Sequence, residues 1–254
     1  MSDFDRASAR SIPSAADMSI DVGLRKFMLG VYNKLGLGLL LSAGMAYLTS
    51  GPLRPLMFRV AEVTLPDGGA VQTVGYTGLG WIVAFAPLAI LLFSGFVMRS
   101  INARTASLIY WSIVALIGAS LGTVVLLYTG ASVVSTFLIT ATAFGSLSLV
   151  GYTTKKNLTG MGSFLLMGLV GLIIAMVVNM FIQNDMMAFI ISVVGVLIFA
   201  GLVAYDTQRL KMTYYQLGGD ETAMSVATSY GALNLYLDFI NLFRFLLVLF
   251  GSRR

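Results

Sequence analysis

Seven apolar segments of about 20 residues each constrain this chain more than any other feature of its sequence. A helix needs about that length of mostly apolar residues to cross the hydrocarbon core of a bilayer. In lipid, only helices and closed barrels satisfy their backbone groups, and continuous apolar runs lack the alternation of barrel strands. The sequence therefore predicts an all-α membrane protein with seven transmembrane helices, at residues 28–49, 77–98, 107–128, 133–152, 163–182, 186–206 and 229–250.

The composition supports this class and excludes several kinds of chemistry. Hydrophobic residues make up 57% of the chain and charged residues 11%, against roughly 45–50% and about 25% in soluble domains. The absence of cysteine and histidine excludes disulfides, thiolate chemistry, serine–histidine hydrolysis and HExxH metal sites. The net charge of +5 comes without a basic run interleaved with aromatic residues, so no nucleic-acid partner is expected.

Lysine and arginine predict the orientation, because cytoplasmic loops are enriched in both. With a cytoplasmic N-terminus, ten of these residues fall on the cytoplasmic side: Arg6, Arg10, Arg25, Lys26, Arg99, Arg104, Lys155, Lys156, Arg209 and Lys211. Four fall on the other side: Arg54, Arg59, Arg253 and Arg254. The last two oppose the trend, so a re-entrant segment at 229–250 stays open. Lys34, within the first segment, is expected to reach toward the interface.

The chain divides into a polar cytoplasmic tail at 1–26, a membrane domain at 27–251 and a short tail at 252–254. No cleavable signal peptide is expected, because the first 26 residues are polar. The longest connection, 50–76, contains AEVTL and AVQTV on either side of PDGG, which predicts a hairpin on the outer face. The GxxxG pattern of Gly118 and Gly122 predicts close helix packing.

Two acidic residues, Asp206 and Asp238, lie inside or at the end of apolar segments, while the other nine acids lie in the tail or near loops. Acids at membrane depth are costly and usually face protein or a water path. Both are expected at the same depth, on neighbouring helices joined by a loop at 207–229. Two carboxylates in contact would share a proton and titrate as a coupled pair, which would make a pH sensor without histidine.

The seventh segment carries a polar stripe, since Asn234, Asp238 and Asn241 are spaced i, i+4 and i+7. This face is expected to point into the bundle. Arg99, at the inner end of the second segment, is the natural countercharge, which a deprotonated acid pair would attract and a protonated pair would release. Simpler roles stay open: Asp206 paired with Arg209 or Lys211 at the interface, Asp238 bonded to the asparagines, and Arg99 as a positive-inside anchor.

Three strings, GLVAYDTQRLKM, ALNLYLDFINLFRFLL and FMLGVYNKLGLGL, resemble the Bax inhibitor-1 family, particularly its bacterial members. The resemblance extends from about residue 27 to residue 251. It implies a seven-helix bundle in which the last helix is central, and a pH-dependent calcium leak across a bacterial inner membrane. It also implies that an aspartyl pair senses protons and that an arginine acts as a latch, which correspond here to Asp206, Asp238 and Arg99. The two aspartates would contact calcium only in passing, and no bound cofactor is expected.

Two other functions stay open at this point. The polar N-terminal tail fits a regulator of a membrane protease, a role ascribed to some bacterial relatives. An intramembrane aspartyl protease would share Tyr205 and Asp206, but the GxGD element such enzymes carry is replaced here by LYLD at 235–238. The chain also lacks the downstream PAL element of those proteases. No enzymatic activity is therefore expected.

Overall fold

The computed structural model of the chain describes residues 21–64, 70–97 and 102–253. Within this part the elements follow one another along the chain as α1 (Val22–Ser50), α2 (Arg54–Met57), β1 (Phe58–Thr64), β2 (Ala70–Tyr76), α3 (Gly78–Val97), α4 (Ala103–Ser120), α5 (Gly122–Leu127), α6 (Gly130–Thr153), α7 (Thr159–Ile182), α8 (Asp185–Leu217) and α9 (Glu221–Phe250).

Six helical stretches among the described residues are long and apolar enough to cross a membrane: α1, α4 continued by α5, α6, α7, α8 and α9. The helix α3 is apolar over a shorter stretch, Gly78–Ser94. The predicted class, an all-α membrane protein, is confirmed. The large apolar side chains exposed along the outer helices, α7 above all, imply that a lipid bilayer surrounds them.

The helix α9 lies at the centre of the bundle. In its most apolar window 61% of the residues are buried, against 39% in α8 and 11% in α7. It packs against α8, α1, α4 and α6, whereas α3 packs on α4, and α7 on α8. The last helix is thus central as expected, but four described helices rather than six form its immediate shell.

Several helices extend beyond the apolar segments that predicted them. Asp21 caps α1 by accepting hydrogen bonds from the amides of Gly23 (2.8 Å) and Leu24 (3.0 Å), so the helix begins within the predicted tail. Residues 1–20 of that tail lie outside the described part. The helix α8 continues 11 residues past Asp206, because no glycine or proline occurs before Gly218, which adopts a left-handed φ of 59°.

The predicted loop at 207–229 is therefore wrong, and the connection between α8 and α9 is only 218–220. Asp220 ends it by capping α9 through the amide of Ala223 (3.0 Å). The helix α9 is then continuous for 30 residues, about 45 Å, which exceeds the thickness of a hydrocarbon core. Beyond it, Ser252 bonds to Ser132 and Thr129 beside the start of α6, so these residues are not a free tail. A re-entrant segment does not fit this long, unbroken helix.

The predicted hairpin is present as an antiparallel pair, β1 and β2, with Phe58 opposite Tyr76 and Thr64 opposite Ala70. Its turn lies outside the described residues. Close packing at the GxxxG pattern is also confirmed. A Cβ atom on Gly118 would lie 2.5 Å from the Cα of Ser42, so this glycine lets α1 and α4 meet backbone to backbone. A Cβ atom on Gly122 would lie 2.4 Å from the side-chain Oγ1 of Thr49, so this glycine leaves room for that side chain.

Candidate functional site

Asp206 on α8 and Asp238 on α9 are neighbours, close enough for the two carboxyl groups to act on each other. The helices α8 and α9 pack together more extensively than any other pair of described elements, which fixes the two side chains at one level. Asp206 is half-buried, and Asp238 is 6% exposed. Because ionised carboxylates only accept hydrogen bonds, a bond between these groups requires that one of them hold a proton.

The environment of Asp238 makes this proton important. Its Oδ2 atom is buried and has no hydrogen-bond partner among the described residues. A buried carboxylate oxygen without a donor is costly, and two ionised carboxylates side by side add repulsion to that cost. A proton shared between Asp206 and Asp238 lowers both costs. The two acids thus lie at the contact between α8 and α9, where sharing a proton would lower the cost of their burial.

A chain of hydroxyl groups lies beside the pair and links three helices. Thr207, which follows Asp206, is fully buried, and its hydroxyl bonds to Ser148 on α6 (2.9 Å) and to the carbonyl of Val203 (2.8 Å). Ser148 in turn contacts the hydroxyl of Tyr32 on α1. These contacts hold the Asp206 turn of α8 in a fixed position relative to α6 and α1.

The side of α9 that its neighbours leave uncovered carries polar residues through the membrane-spanning part of the helix. We name it the open face, and its exposed and half-exposed members are Asn234, Leu237, Asn241, Arg244 and Val248. Two amides and a guanidinium in a row are unusual for a surface that contacts only lipid tails. The open face therefore presents hydrogen-bonding groups on the helix that also carries Asp238.

The predicted inward stripe of Asn234, Asp238 and Asn241 is wrong in its first member. Asn234 is exposed and Asn241 half-exposed, with its amide bonded to the carbonyl of Leu237 in the same helix (2.8 Å). At about 100° per residue, Asn241 lies about 20° from Asn234 in one direction around the helix axis, and Asp238 lies about 40° from Asn234 in the other direction. The edge of α8 lies between Asn234 and Asp238. Asp238 is therefore buried, whereas Asn234 is exposed and Asn241 is half-exposed.

The predicted latch residue, Arg99, lies outside the described residues. The described part of its helix, α3, ends at Val97 and packs on α4. Of the two cations considered as simple partners of Asp206, Arg209 lies three residues along α8 and close enough to act on its charge. Lys211 is instead buried, donates to the backbone carbonyl of Tyr152 on α6 and lies 4.9 Å over the ring of Tyr152.

Sequence reasoning missed the role of Lys34. Its ammonium does not reach for the interface but donates to Ser107 on α4 (3.0 Å) and Ser229 on α9 (2.7 Å), and it lies 5.2 Å over the ring of Tyr110. A lysine within an apolar segment was a sufficient signal for an interior role. The contacts of Thr207 and Lys211 gave no such signal, because both residues follow the predicted end of their helix.

Among the described residues, no group of three or more histidine, cysteine or acidic side chains comes together as a metal site. The carboxyl pair offers up to four oxygen atoms, whereas tightly held calcium takes six to eight oxygen ligands. These oxygens could contact a passing calcium ion, with water supplying the remaining ligands.

Comparison with known proteins finds related proteins that match nearly the whole length of the chain. A family model described as Inhibitor of apoptosis-promoting Bax1 matches residues 24–254. An uncharacterized protein of Caulobacter vibrioides is 59% identical over 257 residues, covering 100% of both chains. The inner membrane protein YbhL of Escherichia coli K12 is 35% identical over 235 residues, covering 91% of this chain and 94% of the relative. An uncharacterized protein of Rickettsia prowazekii is 40% identical over 241 residues, covering 95% of each.

These matches agree with the resemblance carried by the YDTQ and LYLDF strings, which contain Asp206 and Asp238. They also agree with the multi-pass helical fold. The chain is a membrane protein of the Bax inhibitor-1 family.

Proposed function

We propose that this chain is a pH-sensitive leak channel permeable to calcium, with Asp206 and Asp238 as proton sensor and Arg99 as latch. In this proposal the six long helical stretches and α3 form seven crossings of the inner membrane, and the N-terminus lies in the cytoplasm. The observation that carries the proposal is the contact of two carboxyl groups, one of them buried, beside the polar open face of α9. The family resemblance, which implies a pH-dependent calcium leak, supports it.

The direction of gating follows from charge. When the pair has lost its proton, its negative charge attracts Arg99 and holds the inner end of α3 near the pair. When the pair takes up protons, its negative charge falls, its attraction for Arg99 weakens and α3 moves away. Acidification therefore opens the channel, and closure on acidification would contradict the latch.

Permeation uses oxygen ligands that bind weakly enough to let the ion leave. The carboxyl oxygens and the amide oxygens of Asn234 and Asn241 are hard ligands of the kind calcium prefers. Two carboxylates attract a divalent cation without enclosing it, which suits a leak better than storage. No catalytic step is part of the proposal. The helix α9 is unbroken at Asp238, so its backbone does not open to admit a peptide substrate.

The test is calcium flux into proteoliposomes that contain the purified chain, measured from about pH 5.5 to about pH 8.5. Flux in the unmodified chain should rise toward the acidic end. Asp206→Asn and Asp238→Asn should each lose this pH response, because neither amide can share a proton with the remaining carboxyl. Arg99→Gln should leave the channel open at alkaline pH.

Asp220→Asn is the matched control. It also removes one carboxylate from the α8–α9 pair of helices, but from an exposed cap that asparagine fills equally well. Its pH response should be unchanged. Absence of flux at every pH would contradict the channel and leave the regulator of a membrane protease as the hypothesis to test, beginning with deletion of residues 1–20.

A further inference from the structure

A second polar site lies at the end of the bundle that the lysine and arginine pattern assigns to the cytoplasm. It is a cavity of about 490 Å³ between the connection of α6 to α7 and the last third of α8. Its lining residues are mostly polar: Thr154, Lys155, Lys156, Asn157, Thr159, Tyr205, Gln208, Arg209, Lys211, Met212, Thr213 and Gln216. Asp206, Asp238, Asn234 and Asn241, which the proposed channel uses, are not among these lining residues.

The charges around this cavity have one sign. Lys155, Lys156, Arg209 and Lys211 contribute four positive charges, and no aspartate or glutamate is among the described lining residues. Lys155, Lys156 and Arg209 are exposed, although Arg209 also lies close enough to Asp206 to act on its charge. The ammonium groups of Lys155 and Lys156 can turn toward a ligand. Four cations around one cavity repel one another, and an anion in the middle relieves this repulsion.

The walls of the cavity are held in place by residues that follow Asp206. Gln208 accepts a hydrogen bond from the amide of Leu158 (2.8 Å) and donates one to the carbonyl of Lys156 (2.8 Å). The helix α8 is thus bonded to the connection at two points. Lys211 bonds to the carbonyl of Tyr152 in the last turn of α6. These bonds therefore hold the backbone that carries the cations in a fixed position relative to α8.

The amino end of α7 adds a further attraction for negative charge. Thr159, its first residue, lines the cavity, and the first turn of this 24-residue helix contains no acidic residue. The amide of Thr159 donates to Oδ1 of Asn157 (2.9 Å), so the helix dipole, rather than this amide, is what attracts an anion. The partial positive charge of α7 is thus directed at a cavity that already holds four cations.

We propose that this cavity binds a phosphate-bearing anion. Phosphate carries more charge than a carboxylate and offers oxygens in several directions, which matches lysine, arginine and a helix amino end converging from different elements. Basic pockets between membrane helices on the cytoplasmic side bind phospholipid headgroups by the same chemistry. A lipid headgroup and a soluble phosphate are the two sources of this group.

The test measures the melting temperature of the purified full chain in neutral detergent during titration with three probes. The probes are a short-chain phosphatidic acid, a phosphatidylcholine of the same chain length and inorganic phosphate. We expect saturable stabilisation by the phosphatidic acid and none by the phosphatidylcholine. Stabilisation by inorganic phosphate as well identifies a soluble source as sufficient, and stabilisation by the lipid alone identifies the headgroup.

Two triple variants separate the cavity from general surface charge. Lys155→Gln with Lys156→Gln and Arg209→Gln should weaken binding at least tenfold. The control, Arg25→Gln with Lys26→Gln and Arg104→Gln, removes three exposed charges that the same pattern places at the same end of the bundle. It should bind as the unmodified chain does. Equal weakening in both variants, or no stabilisation by any phosphate probe, would overturn the proposal.

Discussion

The polar residues inside these apolar helices differ in the partners that the fold gives them. The ammonium of Lys34 has two hydroxyl acceptors, and the hydroxyl of Thr207 is bonded within α8 and across to α6. Oδ2 of Asp238, by contrast, finds no donor among the described residues. A proton can supply that missing donor, so we expect protonation of the pair, rather than of its neighbours, to change the energy of the fold.

The stability of the chain should therefore depend on pH. A folded state that retains a shared proton binds more protons than the unfolded state, and its free energy of unfolding then falls as the pH rises. The slope for one proton is at most about 1.4 kcal/mol per pH unit. We expect the melting temperature of the purified chain to fall between about pH 5.5 and about pH 8.5, and Asp206→Asn to flatten this dependence.

The cap variant Asp220→Asn serves as the comparison for this measurement as well. It should keep the slope of the unmodified chain, because its carboxylate is exposed and shares no proton. A slope that persists unchanged in Asp206→Asn would show that the pair holds no extra proton in the folded state.

At the scale of whole helices, close contact depends on a few glycines that face a neighbouring backbone. The α1–α4 contact is one of the most extensive in the bundle, and Gly118 lies within it. Without a hydrophobic drive between helices in lipid, such packing supplies much of the association energy. Gly36, on α1, has different surroundings. No atom outside its own stretch of helix lies within 4 Å of the position that its Cβ would take.

Gly118→Ala should separate α1 from α4. Its new methyl group would lie 2.5 Å from the Cα and 2.9 Å from the carbonyl oxygen of Ser42, and backbone atoms cannot turn aside as a side chain can. We expect a loss of roughly 1–3 kcal/mol in the free energy of unfolding, measured by denaturation in detergent micelles. Gly36→Ala, the control, should be neutral or stabilising by up to about 1 kcal/mol. Equal effects of the two variants would contradict the packing argument.

At the scale of the molecule, α9 and the helices on it form the centre, while α3 and α7 lie outside. The position of α3 matters most for the proposed gating, because the described part of α3 ends two residues before Arg99 and α3 is the shortest of the apolar helices proposed to cross. A helix packed mainly on one neighbour can move with less loss of contact than one in the centre. The proposed gating therefore requires that α3 cross the membrane and that its inner end reach the pair.

The crossing by α3 can be tested directly, because the chain contains no cysteine. Single cysteines at Thr73, in the hairpin before α3, and at Arg104, just after it, occupy exposed positions. A membrane-impermeant maleimide should label Thr73→Cys from outside intact cells and Arg104→Cys only after the membrane is opened. The unmodified chain should show no labelling. Labelling of both cysteines from the same side would leave α3 outside the set of crossings.

The class of protein, the hairpin of β1 and β2, and the placement of Asp206 and Asp238 inside or at the end of apolar segments follow from the amino-acid sequence alone. Each of these depends on short stretches of chain: an apolar run prefers lipid wherever it lies, PDGG favours a turn between two β-prone stretches, and a buried charge is costly in any apolar helix. The resemblance in the YDTQ and LYLDF strings added the family, which the comparisons confirm.

Which polar residues meet depends on how distant helices pack against one another. The apolar runs located the membrane segments but not the helix ends, since α8 and α9 continue in polar residues until Gly218 and Asp220 stop them. Helical spacing placed Asn234 and Asp238 on one face, but the edge of α8 falls between them and buries only the acid. Likewise, the cavity around Lys155 and Arg209 forms only because α8 extends beneath the α6–α7 connection. Burial and partners depend on helices that are distant in sequence, and no local pattern encodes them.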